Sequence, residues 1–173
     1  SGPDVDNYGA IKGGVIAVYI SGSAGLEAKL VNHEGAKITS PQVALYSLYK
    51  ANITNEGKIE GTVVTSGYDD KFVNKKTIKG DVQLGAGVDT FKQKGDKAKA
   101  GLIDTQDGND LVVLGTKADK LLFDWTLNAA TNVDTIKKFA SGKDMIYLDE
   151  DVFSTIMPGT LSSAAFHQGT SAA

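Results

Sequence analysis

A chain of 173 residues with a net charge of −3 and no cysteine is long enough for one domain or a stack of repeated turns, and it cannot hold disulfides or thiolate metal sites. All 18 basic residues are Lys and none is Arg, so the usual readers of phosphates and base edges are missing and no nucleic-acid partner is expected. Two histidines argue against a His-rich zinc site, no run of about 20 apolar residues offers a membrane span, and 20 glycines against three prolines mark turns between ordered pieces.

In chain order, four stretches resemble one another: "VDNYGAIKGGV" (5–15), "LVNHEGAKITS" (30–40), "NITNEGKIEGTV" (52–63) and "FVNKKTIKGDV" (72–82). Each carries an Asn followed by an Ile, and the Asn positions 7, 32, 55 and 74 step by 25, 23 and 19 residues. Between them lie short runs rich in β-branched and aromatic residues, "VIAVYI" (15–20), "VALYSLY" (43–49) and "GTVVTS" (61–66), with no helical period. Short strands on a period near twenty predict an all-β chain wound as a parallel β-helix or β-roll solenoid. Ile11, Ile38, Ile59 and Ile78 would then form an inward ladder, and Asn7, Asn32, Asn55 and Asn74 a column of amides bonded from rung to rung. An antiparallel sandwich is the alternative, but it does not require the same Asn-then-Ile order at each return.

From residue 66 to 115 a second pattern is laid over the first. "GAGVDTF" fits G-x-G-x-D-x-U, with U a large apolar residue, at Gly85, Gly87, Asp89 and Phe91. "QDGNDLV" keeps Gly108, Asp110 and Val112 with Gln106 in place of the first Gly, and "SGYDDKF" supplies Asp70 and Phe72 alone. The aspartates step by 19 and 21 residues, the spacing of successive rungs. Glycine permits the tight turn and exposes its carbonyl, Asp brings a carboxylate to the same place, and a hard cation such as Ca²⁺ takes six to eight oxygens, more than one turn supplies. The candidate metal ligands are therefore Asp70, Gly85, Gly87, Asp89, Gly108 and Asp110, with Asp107 and Asp69 as neighbouring carboxylates.

The pattern resembles the nonapeptide repeats of calcium-binding RTX proteins, and it is this resemblance that implies calcium at these positions. The segment "VDTIKKFASGKDMIYLDEDVF" resembles the region that follows those repeats in type I-secreted members such as serralysin-type proteases, through Asp134, Ile136, Phe139, Gly142, Asp144, Ile146, Leu148, Asp149 and Phe153. The resemblance implies a calcium-stabilised tail of an exported bacterial protein, with an uncleaved secretion signal at its extreme C-terminus. The repeats here are fewer and nearly twenty residues apart, where the family's compact roll takes two nonapeptides per turn. "FHQGTSAA" stops short of a recognisable signal. The chain thus divides into a solenoid over 1–115 and an RTX-like part over 116–173, in which "DTIKKF" and "DMIYLD" form a short β cap. Phe123 and Trp125 read as core or cap residues, and Asp124 and Asp134 as ligands of a further calcium at the junction.

No base-plus-stabiliser set emerges: the close acidic pairs, Asp69 with Asp70 and Asp107 with Asp110, lie in the calcium turns, and His33 and His167 stand apart. The expectation is a non-catalytic, secreted or cell-surface calcium-binding module. Two alternatives stand beside it. One is a β-helix that binds or modifies extracellular polysaccharide, with Tyr46, Tyr49 and Tyr68 as an aromatic platform. The other is a structural adhesin stalk. The opening "SGP" reads as a scar ahead of a fragment.

Overall fold

The computed structural model describes residues 2–155 apart from positions 24 and 127. The suggested secretion signal and His167 lie outside that range. Strands follow one another rung by rung. The first rung holds β1 (Asp4–Asn7), β2 (Ala10–Lys12) and β3 (Ile16–Ile20); the second β4 (Ala28–Asn32) and β5 (Lys37–Ser47); the third β6 (Ala51–Asn55) and β7 (Lys58–Val64). The fourth has β8 (Lys71–Asn74), β9 (Thr77–Ile78) and β10 (Val82–Gln83); the fifth β11 (Thr90–Gln93) and β12 (Leu102–Asp104). The sixth has β13 (Leu111–Val113) and β14 (Lys120–Phe123), and the seventh β15 (Thr135–Lys137) and β16 (Met145–Leu148).

Every strand pairs in parallel with its counterpart one rung away, giving a sheet in the order β1-β4-β6-β8-β11-β13-β15 and a facing sheet from β2 and β3 through β5, β7, β10, β12 and β14 to β16. The chain is a parallel β-solenoid. Its drifting period is absorbed outside the regular ladder, in the loop between β3 and β4 and in register shifts of β5 against β7 between Thr39 and Leu45.

Inward positions stack in columns. Leu30, Ile53, Phe72, Phe91 and Val112 sit directly above one another in the first sheet, all 0% exposed, and Phe72 and Phe91 meet edge-on at 5.4 Å between ring centroids. In the second sheet Ile11, Ile38, Ile59 and Ile78 are in register, the last three fully buried. Burying such a side chain contributes about 1.5–3 kcal/mol, so these two columns supply the main cohesion between rungs.

The corner after each first-sheet strand carries the amide column. Asn7 Nδ2 donates to Asn32 Oδ1, Asn32 to Asn55 and Asn55 to Asn74, each at 2.8 Å, and Asn74 donates to Gln93 Oε1 at 2.7 Å. Asn suits this column because its amide is donor and acceptor at once, so each residue satisfies its neighbours in both directions. The two segments expected to cap the solenoid, "DTIKKF" and "DMIYLD", form β15 and β16, which extend both sheets by one rung without a break at residue 115. Phe123 packs against the core, whereas Trp125 is 47% exposed.

Candidate metal centre

At the opposite corner the chain turns from the second sheet back to the first, at residues 65–70, 84–89, 105–110 and 124–134. Because β8, β11, β13 and β15 are in register, the Asp that precedes each strand lands in one column: Asp70, Asp89, Asp110 and Asp134. One carboxylate oxygen of each accepts a backbone N–H from the rung before. Ala51 N–H reaches Asp70 Oδ1 at 2.5 Å, Asp70 N–H reaches Asp89 Oδ1 at 2.6 Å, Asp89 N–H reaches Asp110 Oδ1 at 2.7 Å, and Asp110 N–H reaches Asp134 Oδ1 at 3.0 Å.

The second oxygens are treated differently. Ser66 donates both its N–H, at 3.0 Å, and its hydroxyl, at 2.9 Å, to Asp70 Oδ2. Continuing the register of β7, β10 and β12 places Gly85 and then Gln106 over Ser66. Both have left-handed backbones, φ 91° and 64°, and neither brings a hydroxyl. Asp89 Oδ2 and Asp110 Oδ2 are consequently buried with no partner among the described residues, although the two side chains are only 1% and 2% exposed. Asp134 Oδ2 is taken by Thr105 Oγ1 at 2.6 Å. Within the column the unsatisfied oxygens fall on adjacent rungs, in the turns with the best-preserved repeats.

A buried carboxylate oxygen without a donor costs free energy on the order of 1–3 kcal/mol, more if charged. Burial pushes the Asp89 carboxyl up to about 8, reinforced by the charges of Asp110, Asp70 and Asp69 and opposed by the Asp70 N–H. Burial likewise raises Asp110 to about 7, with Asp134 and Asp107 adding to it. Asp70 is also raised by burial, against the donors of Ala51 and Ser66. These turns favour anything that supplies positive charge.

Gly85 and Gly108 are required where they stand. A Cβ on Gly85 would run into the Ser66 carbonyl oxygen and one on Gly108 into the Gly87 carbonyl oxygen, so each turn packs directly on a backbone oxygen of the turn before. Gly87, at φ 124°, donates its N–H to the Asp107 carbonyl at 3.0 Å. Asp69 is exposed and accepts Val88 N–H at 2.9 Å, while Asp107 is half-buried at the rim. Asp124 stands apart from the column beside Asp104, with its Oδ1 buried and without a partner among the described residues. The two border a cavity of about 10 Å³, together with Gln106, Trp125 and Asn132, room for about one water molecule. Among the described residues no three acidic or imidazole side chains converge on one point, so a cation here would draw on backbone carbonyls and water as well as carboxylates.

Sequence reasoning passed over Asp104 and Asp119. Burial, then the Asp124 charge, pushes Asp104 up to about 7. Asp119 begins a D-x-U triplet with Leu121, four residues after Gly115, and stacks on Asp144 at the amide corner. There every oxygen has a donor: Gly115 N–H and Gln93 Nε2 on Asp119, Asp119 N–H and Ala140 N–H on Asp144. The proposed tyrosine platform is split, Tyr46 stacking on Tyr19 at 5.8 Å and Tyr49 on Tyr68 at 5.9 Å. His33 bonds Asp6 at 2.8 Å and stacks on Tyr8, away from the aspartate column. No family model, curated protein or solved structure matches the chain.

Proposed function

We propose that the chain is a non-catalytic, calcium-binding β-solenoid module of a secreted or cell-surface bacterial protein, in which the ion sits between the turns of Asp89 and Asp110. The observation that carries this reading is the pair of buried oxygens on adjacent rungs without a donor among the described residues, Asp89 Oδ2 and Asp110 Oδ2, in glycine-bearing turns packed closely on the turn before. The donor set is hard oxygen throughout, as Ca²⁺ prefers, and offers neither nitrogen nor sulfur. Asp70 has both oxygens satisfied by Ala51 and Ser66, so it is the structural end of the column and not a ligand. Asp134 closes the other end through Thr105.

Ion binding on this reading couples to folding. At the low calcium of a bacterial cytosol the two buried carboxyls have only protons to offset their charge, and the rungs are held loosely. Millimolar calcium outside the cell neutralises the pair and locks rung to rung. That order of events suits export through a type I secretion channel, in line with the RTX-like sequence of residues 133–153.

Thermal unfolding with calcium and with chelator tests the proposal. Calcium should raise the midpoint of the wild-type chain and leave that of Asp89→Asn nearly unmoved, because Asn keeps the ladder's accepting oxygen and removes the charge. An equal response from both proteins, or none from either, sinks it.

A further inference from the structure

The outer face of the second sheet carries a charge pattern that the calcium site does not use. In one outward column Lys37 lies directly opposite Lys58, and the next two rungs add Thr77 and Lys99. The neighbouring column runs Lys12, Thr39, Glu60 and, one residue past the ninth strand, the exposed Lys79. Strands are about 4.8 Å apart, and like charges directly opposite one another are destabilising. Glu60 relieves part of this: its carboxylate is met by Lys37 Nζ at 2.5 Å, Lys58 Nζ at 2.7 Å and Lys79 Nζ at 3.1 Å. Three ammoniums surround one carboxylate, and Lys12 and Lys99 extend the row on either side.

The net charge of −3 conceals this local excess of lysine, while a column of aspartates, Asp70, Asp89, Asp110 and Asp134, lies at the opposite corner of the rung. Beside Lys58 lies a groove of about 260 Å³ edged by Glu56, Gly57, Lys76 and Thr77. Lys76 bridges to Glu34 at 3.1 Å and Lys75 to Glu56 at 2.6 Å, so the groove is framed by carboxylate–ammonium pairs.

We infer that this lysine face binds a linear polycarboxylate, a uronate-containing polysaccharide, laid along the solenoid axis. Glu60 occupies the place of one ligand carboxylate and displays the geometry in which the face holds such a group. Ammonium point charges one rung apart suit a string of carboxylates. Nucleic acid is a poorer fit, since the row offers neither an Arg fork for phosphate nor an aromatic side chain among the lysines for base stacking.

The test uses the whole chain with calcium present and a fluorescently labelled hyaluronan decasaccharide, with neutral dextran and a single-stranded DNA of equal charge as comparators. Hyaluronan should bind in low salt, release as salt is raised, and bind about tenfold more weakly to the Lys58→Gln/Lys79→Gln double variant. Glu60→Gln, which removes the competing carboxylate, should bind more tightly, an effect that a merely structural role would not produce. Asp89→Asn should leave hyaluronan binding unchanged while losing the calcium response, which separates this site from the calcium reading. Absence of hyaluronan binding by the folded protein, equal or tighter binding of the DNA, or no gain with Glu60→Gln overturns the inference.

Discussion

The two corners of the solenoid solve the same stacking problem with different side chains. At one, Asn7, Asn32, Asn55 and Asn74 link rung to rung through amides, each bond between them 2.8 Å long. At the other, Asp70 to Asp134 link rungs at 2.5–3.0 Å, but the donor is always backbone N–H. An ionised carboxylate has no proton to pass on, so its second oxygen depends on what the local turn provides. Where the turn provides Ser66 the column is closed, and where it provides Gly85 or Gln106 the column is left open to a cation or a proton. The amide corner is complete in itself, and the aspartate corner keeps two buried oxygens without a donor among the described residues.

That comparison can be broken from both sides. Phe91→Ala, which empties the core position fixing the Asp89 turn, should cost about 3–5 kcal/mol in equilibrium denaturation and weaken both corners together. Asn32→Ala should come next. It strands the Asn7 Nδ2 donor and the Asn55 amide in a buried column, a loss of about 2–4 kcal/mol that is the same in calcium and in chelator, because this corner asks nothing of an ion.

The pH response of the aspartate corner is the third test. The folded-state values of Asp89, near 8, and Asp110, near 7, lie above the ordinary range of an unfolded Asp, so the folded form holds protons that the unfolded form has released. In chelator, the contribution of this corner should therefore be greatest below pH about 4 and should fall as pH rises toward 8, read as the difference in urea midpoints between the wild-type chain and Asp89→Asn. A rise of the wild-type chain relative to Asp89→Asn over the same window would contradict the burial argument. The smallest effect is expected at Gln106, whose φ of 64° a non-glycine residue adopts at a cost of about 1 kcal/mol, so Gln106→Gly should stabilise by up to that amount.

The rung architecture was legible because the stacked residues recur in a fixed order: Asn then Ile at the amide corner, Asp then a large apolar residue at the other. Column chemistry forces that order, while loop lengths remain free, which is why steps of 25, 23 and 19 residues coexist with direct stacking of Ile11, Ile38, Ile59 and Ile78. Less legible was what decides which aspartates are satisfied, since Ser66 acts on Asp70 through a hydroxyl in a position that the glycine pattern treats as a mere mismatch. Asp104, Asp119 and the lysine face escaped for a related reason. Each depends on residues that meet only through the parallel register, nineteen or more positions apart, with no local motif to announce it.

The amide column also has a direction. Every Nδ2 donates toward the next rung, so the side-chain dipoles add head to tail, as peptide dipoles do in a helix, and present their positive end at Gln93. The group that meets Gln93 Nε2, at 3.4 Å, is the carboxylate of Asp119. An anion thus terminates the polarised chain where its positive pole emerges, and reversing the order of residues along this corner would set like poles together. The solenoid carries an electrical sense as well as a winding sense, and both run the same way along its axis.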